Sequence, residues 1–205
     1  FFIDVAMGIL TVFFNRQIMK YLGTNALSVY SIIVNISTFV QCCAYSVGQA
    51  SQPIISVNFG AHLGGRIRET LRCALGTVAF FALLWTGLSF AVPLLFIRIF
   101  MEPTAEILAI APGIIRTYGL SFLLLPLNIF STYYFQAIMK PSAAFVVSVS
   151  RGFVISGVLI LLLPAVFSPD SLWFAMPVTE LLTAVYVVVT MYKDTRALPD
   201  TGNAQ

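Results

Sequence analysis

Charged residues are scarce in this sequence: Asp, Glu, Lys and Arg together make up 9% of it. Soluble domains average about 25% charged residues, so this chain lacks the side chains needed to cover a water-facing surface. The net charge of +3 is small and scattered, which argues against nucleic acid as a partner. Hydrophobic residues, in contrast, make up 59% of the chain. The composition predicts a membrane protein whose surroundings are the lipid bilayer.

Cysteine and histidine are also rare. Cys42 and Cys43 are adjacent, so on a helix their side chains point in different directions and do not form a disulfide. The single histidine, His62, has no Cys, Glu or second His at metal-ligand spacing, and the chain contains neither a phosphate loop nor a nucleophile elbow. We therefore expect no metal, no cofactor and no enzyme activity. The alternative, an intramembrane enzyme, would have to rest on Asp4 or Glu180.

Charges and turn residues divide the chain into six apolar runs. A helix needs about 20 residues to cross a bilayer, and each run is long enough. The runs lack the period-two alternation of membrane strands and are too long for them. We predict an all-α polytopic membrane protein with one domain over residues 1–193 and a polar tail at 194–205. The six predicted helices cover residues 1–22, 26–57, 69–98, 106–139, 142–167 and 171–192.

The basic residues predict the orientation of these helices. Six lie in the second loop, the fourth loop and the tail, whereas three lie on the opposite side after the first and third helices. Because basic residues concentrate on the cytoplasmic side, we expect both chain ends in the cytoplasm. The six are Arg66, Arg68, Arg72, Lys140, Lys193 and Arg196; the three are Arg16, Lys20 and Arg98.

Polar residues follow one face of the second predicted helix. Small or polar side chains recur there in alternating steps of four and three, from Ser28 to Ser56. The first and fourth helices carry shorter polar stripes of the same kind. A polar face inside an otherwise apolar helix indicates a membrane protein whose interior meets water or solute. The candidates for lining such a cavity are Thr11, Asn15, Asn35, Thr38, Tyr45, Gln49, Gln52, Asn128 and Thr132.

Four ionisable residues of the predicted helices are assigned to the membrane interior. Burying a charge in a bilayer costs roughly 2.5 kcal/mol or more, so each needs a partner or a function. Arg116, Arg151 and Glu180 all approach the midplane, which makes them candidates for structural ion pairs; Arg151 and Glu180 lie on consecutive antiparallel helices and could meet. Glu180 is equally a candidate for coupling ion flow to transport. Asp4 has no basic residue within two turns, so it is a second ion-coupling candidate.

The end of the second helix carries the most specific motif. It reads Gly48-Gln49-Ala50-Ser51-Gln52-Pro53, then Asn58-Phe59-Gly60-Ala61. Further pieces are Phe135-Gln136-Ala137, Ser150-Arg151 and the segment from Trp173 to Glu180. In this order and spacing the chain resembles the multidrug and toxic compound extrusion (MATE) transporters, in particular their bacterial multidrug-efflux branch.

The resemblance implies that the chain is the C-terminal six-helix lobe of a twelve-helix transporter, whose N-terminal lobe would be its partner. Such proteins lie in the bacterial cytoplasmic membrane and export cationic or amphipathic drugs and metabolites by alternating access, in exchange for H⁺ or Na⁺. Some members have cation-binding acids in the seventh and tenth helices. Asp4 lies in the helix that would be seventh, whereas the would-be tenth helix has Asn128. The alternatives are a lipid-linked sugar flippase of the same superfamily and a structural half that does not transport.

Overall fold

The computed structural model describes the backbone of residues 2–198 and the side chains of residues 8–198. Nine α-helices occur within these residues, several of them segments of one longer span. Their bounds are α1 Phe2–Tyr21, α2 Gly23–Gly60, α3 Gly64–Ala91, α4 Pro93–Phe100, α5 Ala105–Gly119, α6 Leu125–Ala137, α7 Pro141–Val149, α8 Ile155–Val166 and α9 Ala175–Arg196.

Five helical segments of the described chain are long and apolar enough to cross a membrane. Together with the 20 residues of α1, they account for the six predicted runs, and the prediction of an all-α polytopic membrane protein is confirmed. The five are Gly23–Gly60, Gly64–Ala91, Ala105–Ala137, Pro141–Val166 and Pro169–Arg196.

The third predicted helix, over 69–98, begins earlier and is not continuous. It is α3 up to Ala91, a non-helical Val92 and then the short helix α4. Pro93 explains the break, because its ring disfavours helical dihedrals in the preceding residue. Val92 accordingly has φ −134° and ψ 49°.

Two further predicted spans change helix type near their middle. In the fourth, a 3₁₀ turn at Leu120–Leu123 separates α5 from α6. Pro126 sits in the first turn of α6, where its missing N–H costs that helix no hydrogen bond. In the fifth, a π-helical segment at Ser150–Val154 joins α7 to α8. Such segments are rare and often mark functional sites.

The long helix α2 organises the packing of the lobe. Its most extensive contacts are with α6 and α3. Gly48 permits the approach of α6, because a Cβ at this position would lie 2.7 Å from Cγ of the Tyr133 ring. The glycine of the sequence motif is therefore a packing residue in this fold.

Candidate functional site

A buried carboxylate, guanidinium and amide form the polar centre of the lobe. The side chain of Glu180 on α9 is 0% exposed, and its Oε1 accepts a hydrogen bond from Arg151 Nε at 2.6 Å. Its Oε2 accepts a hydrogen bond from Asn128 Nδ2 at 2.7 Å. The same amide nitrogen donates to the backbone carbonyl of Glu180 at 2.9 Å. A charge withdrawn from water requires such partners, and both carboxylate oxygens have one.

Irregular backbone positions two of these three groups. Arg151 is the second residue of the π-helical segment, and its side chain is 13% exposed. Asn128 lies in the first turns of α6, directly after the 3₁₀ turn and two residues beyond Pro126. Glu180 lies in the second turn of α9. Three separate spans therefore converge on one carboxylate at mid-helix depth.

A cavity of about 160 Å³ adjoins this cluster. The rings of Phe14 and Tyr30 stack along its wall with their centroids 4.6 Å apart, and Tyr118 meets Tyr30 edge-on at 6.3 Å. The wall thus combines one ion pair, several hydroxyls and an aromatic surface. The lining residues are Leu10, Thr11, Phe14, Tyr30, Val34, Ser37, Thr38, Gln41, Tyr118, Ser121, Leu125, Arg151, Met176 and Glu180.

The residues predicted to line a cavity divide into two groups. Thr11 and Thr38 lie in the cavity wall. The other seven do not line this cavity. Three are exposed on α2 (Asn35, Tyr45 and Gln49), three are half-buried (Asn15, Gln52 and Thr132), and Asn128 is fully buried.

Asn128 lies behind the cavity wall because its amide group holds Glu180. Its Oδ1 has no hydrogen-bond partner among the described residues. The amide orientation is determined by its neighbours, since Nδ2 faces two oxygen acceptors of Glu180. Asn128 therefore leaves one buried acceptor beside a buried carboxylate.

The polar stripe of α2 lies on an uncovered face of the lobe. Ser31, Asn35 and Thr38 are exposed, and each donates a hydrogen bond to the carbonyl four residues earlier on the same helix. This arrangement satisfies the donors locally. Farther along, Gln49 is exposed as well, whereas Gln52 Nε2 lies 3.4 Å from Gln136 Oε1 on α6. Thr38 belongs to both features, so the cavity borders the exposed stripe.

Arg116, a third charged candidate, is not part of this cluster. Arg116 is exposed and its Nε donates a hydrogen bond to the carbonyl of Phe90 at 3.2 Å, so its described partner is backbone and not a carboxylate. Asp4 lies on α1 outside the residues whose side chains are described.

Three polar residues that α2 contributes to the cavity wall are not among the candidates predicted from the sequence. Tyr30, Ser37 and Gln41 are spaced by seven and four residues, which places them on one face of α2 beside the predicted stripe. That spacing is a helical signal, but Ile33 and Val34 interrupt the face between Tyr30 and Ser37. Among the described side chains, no group of three or more His, Cys, Asp or Glu residues could hold a metal ion.

Solved structures with the same fold are membrane transporters. An outward-facing multidrug resistance MATE family transporter of the MOP superfamily has a TM-score of 0.86 at 14% identity, over 96% of this chain and 44% of its own. A MOP superfamily transporter from Pyrococcus furiosus, described as having a binding pocket of reversed polarity, has a TM-score of 0.83 at 15% identity over the same fractions. The MATE multidrug transporter DinF-BH, solved with a bound compound, has a TM-score of 0.79 at 23% identity, over 94% of this chain and 43% of its own.

This chain therefore spans less than half the length of the transporters it matches. The comparison with curated proteins found no match. The MatE family model matches residues 1–162, which is most of the chain and includes the helix-two motif, Asn128 and Arg151. The fold and the family model agree on the MATE family, whose members are transporters and not enzymes. The chain belongs to the MATE family and has the size of one half of such a transporter.

Proposed function

We propose that this chain is the C-terminal lobe of a secondary antiporter. In this proposal the whole protein exports cationic or amphipathic solutes across the bacterial cytoplasmic membrane by alternating access, in exchange for H⁺ or Na⁺. The chain ends lie on the cytoplasmic side, as the distribution of basic residues favours.

The observation that carries the proposal is the position of the Glu180 cluster. A buried carboxylate with a charged and an amide partner borders a cavity, and that cavity borders the uncovered polar face of α2. Intramembrane ionisable groups of this kind mark ion pathways and proton relays. The unpaired Asn128 Oδ1 adds an oxygen ligand of the type that Na⁺ accepts. The cluster therefore supports a role in ion coupling.

The size of the cavity supports the need for a second lobe. Drug-sized ligands occupy cavities of about 300–1,000 Å³, and this one measures about 160 Å³. It is large enough for an ion or a few waters. The solute site would therefore be completed between this polar face and the partner lobe.

The flippase alternative has less support from the charges of this lobe. A pyrophosphate-linked sugar needs free cationic groups to receive it. Arg151 lies in the cavity wall but is paired with Glu180. Arg116 is not among the residues lining that cavity.

The proposal is tested in proteoliposomes containing the intact protein. Transport of a fluorescent cationic dye is measured with an imposed proton gradient and, separately, with an imposed sodium gradient. We expect one gradient to drive transport, and we expect Asp4→Asn or Glu180→Gln to abolish that dependence. Arg116→Gln, which changes the charge by the same amount in the opposite direction and lies outside the cluster, should preserve it.

The outcomes separate the parts of the proposal. A rate of dye transport that neither gradient changes would refute antiport. Gradient-driven transport that survives Glu180→Gln would remove Glu180 from coupling, and the same result with Asp4→Asn would remove Asp4.

A further inference from the structure

An apolar groove lies on the side of the lobe formed by α3, α6 and α9. Its volume is about 480 Å³, within the usual range for ligand cavities. From Leu71 to Ala82 the α3 wall extends for about 16 Å, roughly half the thickness of a bilayer core. Apart from Tyr192 and Thr195, every lining side chain is apolar. The lining residues are Leu71, Leu75, Val78, Ala79, Ala82, Leu123, Leu127, Val188, Met191, Tyr192 and Thr195.

Two arginines lie at one end of this groove, and we call Arg72 and Arg196 the basic rim. At about 100° per residue, Arg72 lies within about 20° of Ala79 on the same face of α3. On the opposite wall, the guanidinium carbon of Arg196 lies 4.8 Å from the centroid of the Tyr192 ring. Near the rim, Arg68 Nη2 donates a hydrogen bond to the carbonyl of Leu198 at 3.3 Å, which ties the two walls together.

The acidic residues described at this end do not line the groove. Asp194 forms an ion pair with Lys140, and neither residue belongs to the groove lining. Glu69 is exposed and lies about 200° around α3 from Leu71, which places it on the opposite side of that helix. Among the described residues, the end of the groove is therefore cationic, whereas its length is apolar.

We propose that the groove and basic rim bind one anionic phospholipid, with an acyl chain along the groove and the headgroup phosphate at the rim. The site is separate from the Glu180 cavity, as the two share no lining residue. A solvated anion would not contact the apolar part of the groove. A zwitterionic lipid would be attracted less strongly to the two arginines than an anionic one. Basic groups between membrane helices bind anionic headgroups in this way.

The test uses the intact protein purified in detergent. Phosphatidylglycerol and phosphatidylcholine are titrated separately, and bound lipid is counted by native mass spectrometry. We expect phosphatidylglycerol to bind more tightly, and we expect Arg72→Gln or Arg196→Gln to weaken it about five-fold each, the equivalent of about 1 kcal/mol per basic residue. Arg98→Gln, an equal loss of charge at an exposed position of α4, is the matched control and should change nothing.

A second variant tests the groove itself. Ala79→Trp places an indole in the groove without removing a charge, so it should lower binding of both lipids. Size-exclusion profiles and thermal unfolding show whether each variant is folded. If Arg98→Gln weakens phosphatidylglycerol binding as much as Arg72→Gln does, the effect is general surface charge and the proposal is overturned. Unchanged binding by a folded Ala79→Trp variant would overturn the groove as the acyl site.

Discussion

Breaking the pair between Arg151 and Glu180 should destabilise the lobe strongly. Glu180 is fully buried, Arg151 is 13% exposed, and their atoms lie 2.6 Å apart. Removing one partner of a buried pair leaves the other charge without compensation, which typically costs about 3–5 kcal/mol. We therefore expect Glu180→Leu and Arg151→Met each to lower the free energy of unfolding by about that amount.

The double variant distinguishes a true pair from two independent residues. With both charges replaced by apolar side chains, no buried charge remains, although Asn128 loses its carboxylate partner. We expect the double variant to be more stable than the sum of the single effects predicts, by a coupling free energy of about 2–3 kcal/mol. The measurement is denaturant unfolding of the purified protein in mixed micelles, followed by circular dichroism.

The control is Arg116→Met, which removes an exposed guanidinium whose described partner is a backbone carbonyl. Its effect should stay within about 1 kcal/mol. Additive single effects in the double variant would refute the reasoning, because they would mean that the two charges do not stabilise each other.

Two further predictions concern α2. Gly48→Ala should destabilise the protein by about 1–3 kcal/mol in thermal unfolding, because its Cβ would overlap the Tyr133 ring. The matched control is Gly87→Ala. The new methyl group there has open space around it, so this variant should not be destabilised. In a cysteine-free background, Gln49→Cys should react faster than Val47→Cys with a water-soluble thiol reagent, because Gln49 lies on the exposed polar face. Equal rates in the intact protein would show that this face is packed or lipid-covered.

Much of the fold could be predicted from the sequence because the spans are delimited by local signals. Long apolar runs and the charges between them locate the helices to within a few residues. The exceptions are departures from α-helical geometry inside a run. The break at Val92 has a visible cause in Pro93, but the chain contains other prolines, such as Pro53 and Pro164, inside continuous helices. Which proline interrupts a helix depends on the neighbours that replace its lost hydrogen bond.

The site was less predictable. Depth alone was enough to propose that Arg151 and Glu180 could meet, since antiparallel neighbours place residues of equal depth side by side. Asn128 was assigned to the cavity because it lies on a polar stripe. Asn128 is buried behind Glu180 because the 3₁₀ turn rotates α6 relative to α5. A prediction that assumes one regular α-helix through this span does not include that rotation.

The π-helical segment at Ser150–Val154 has a consequence for how this span would tolerate changes in length. A π turn holds one residue more than the α turn it replaces. The side chains of α8 therefore point about 100° away from the directions they would have if α7 continued as one regular α-helix. Deleting one residue of this segment would thus restore ordinary winding while both flanking helices kept their present neighbours. A deletion in α7 or α8 would instead turn every later side chain of the span toward a new surface.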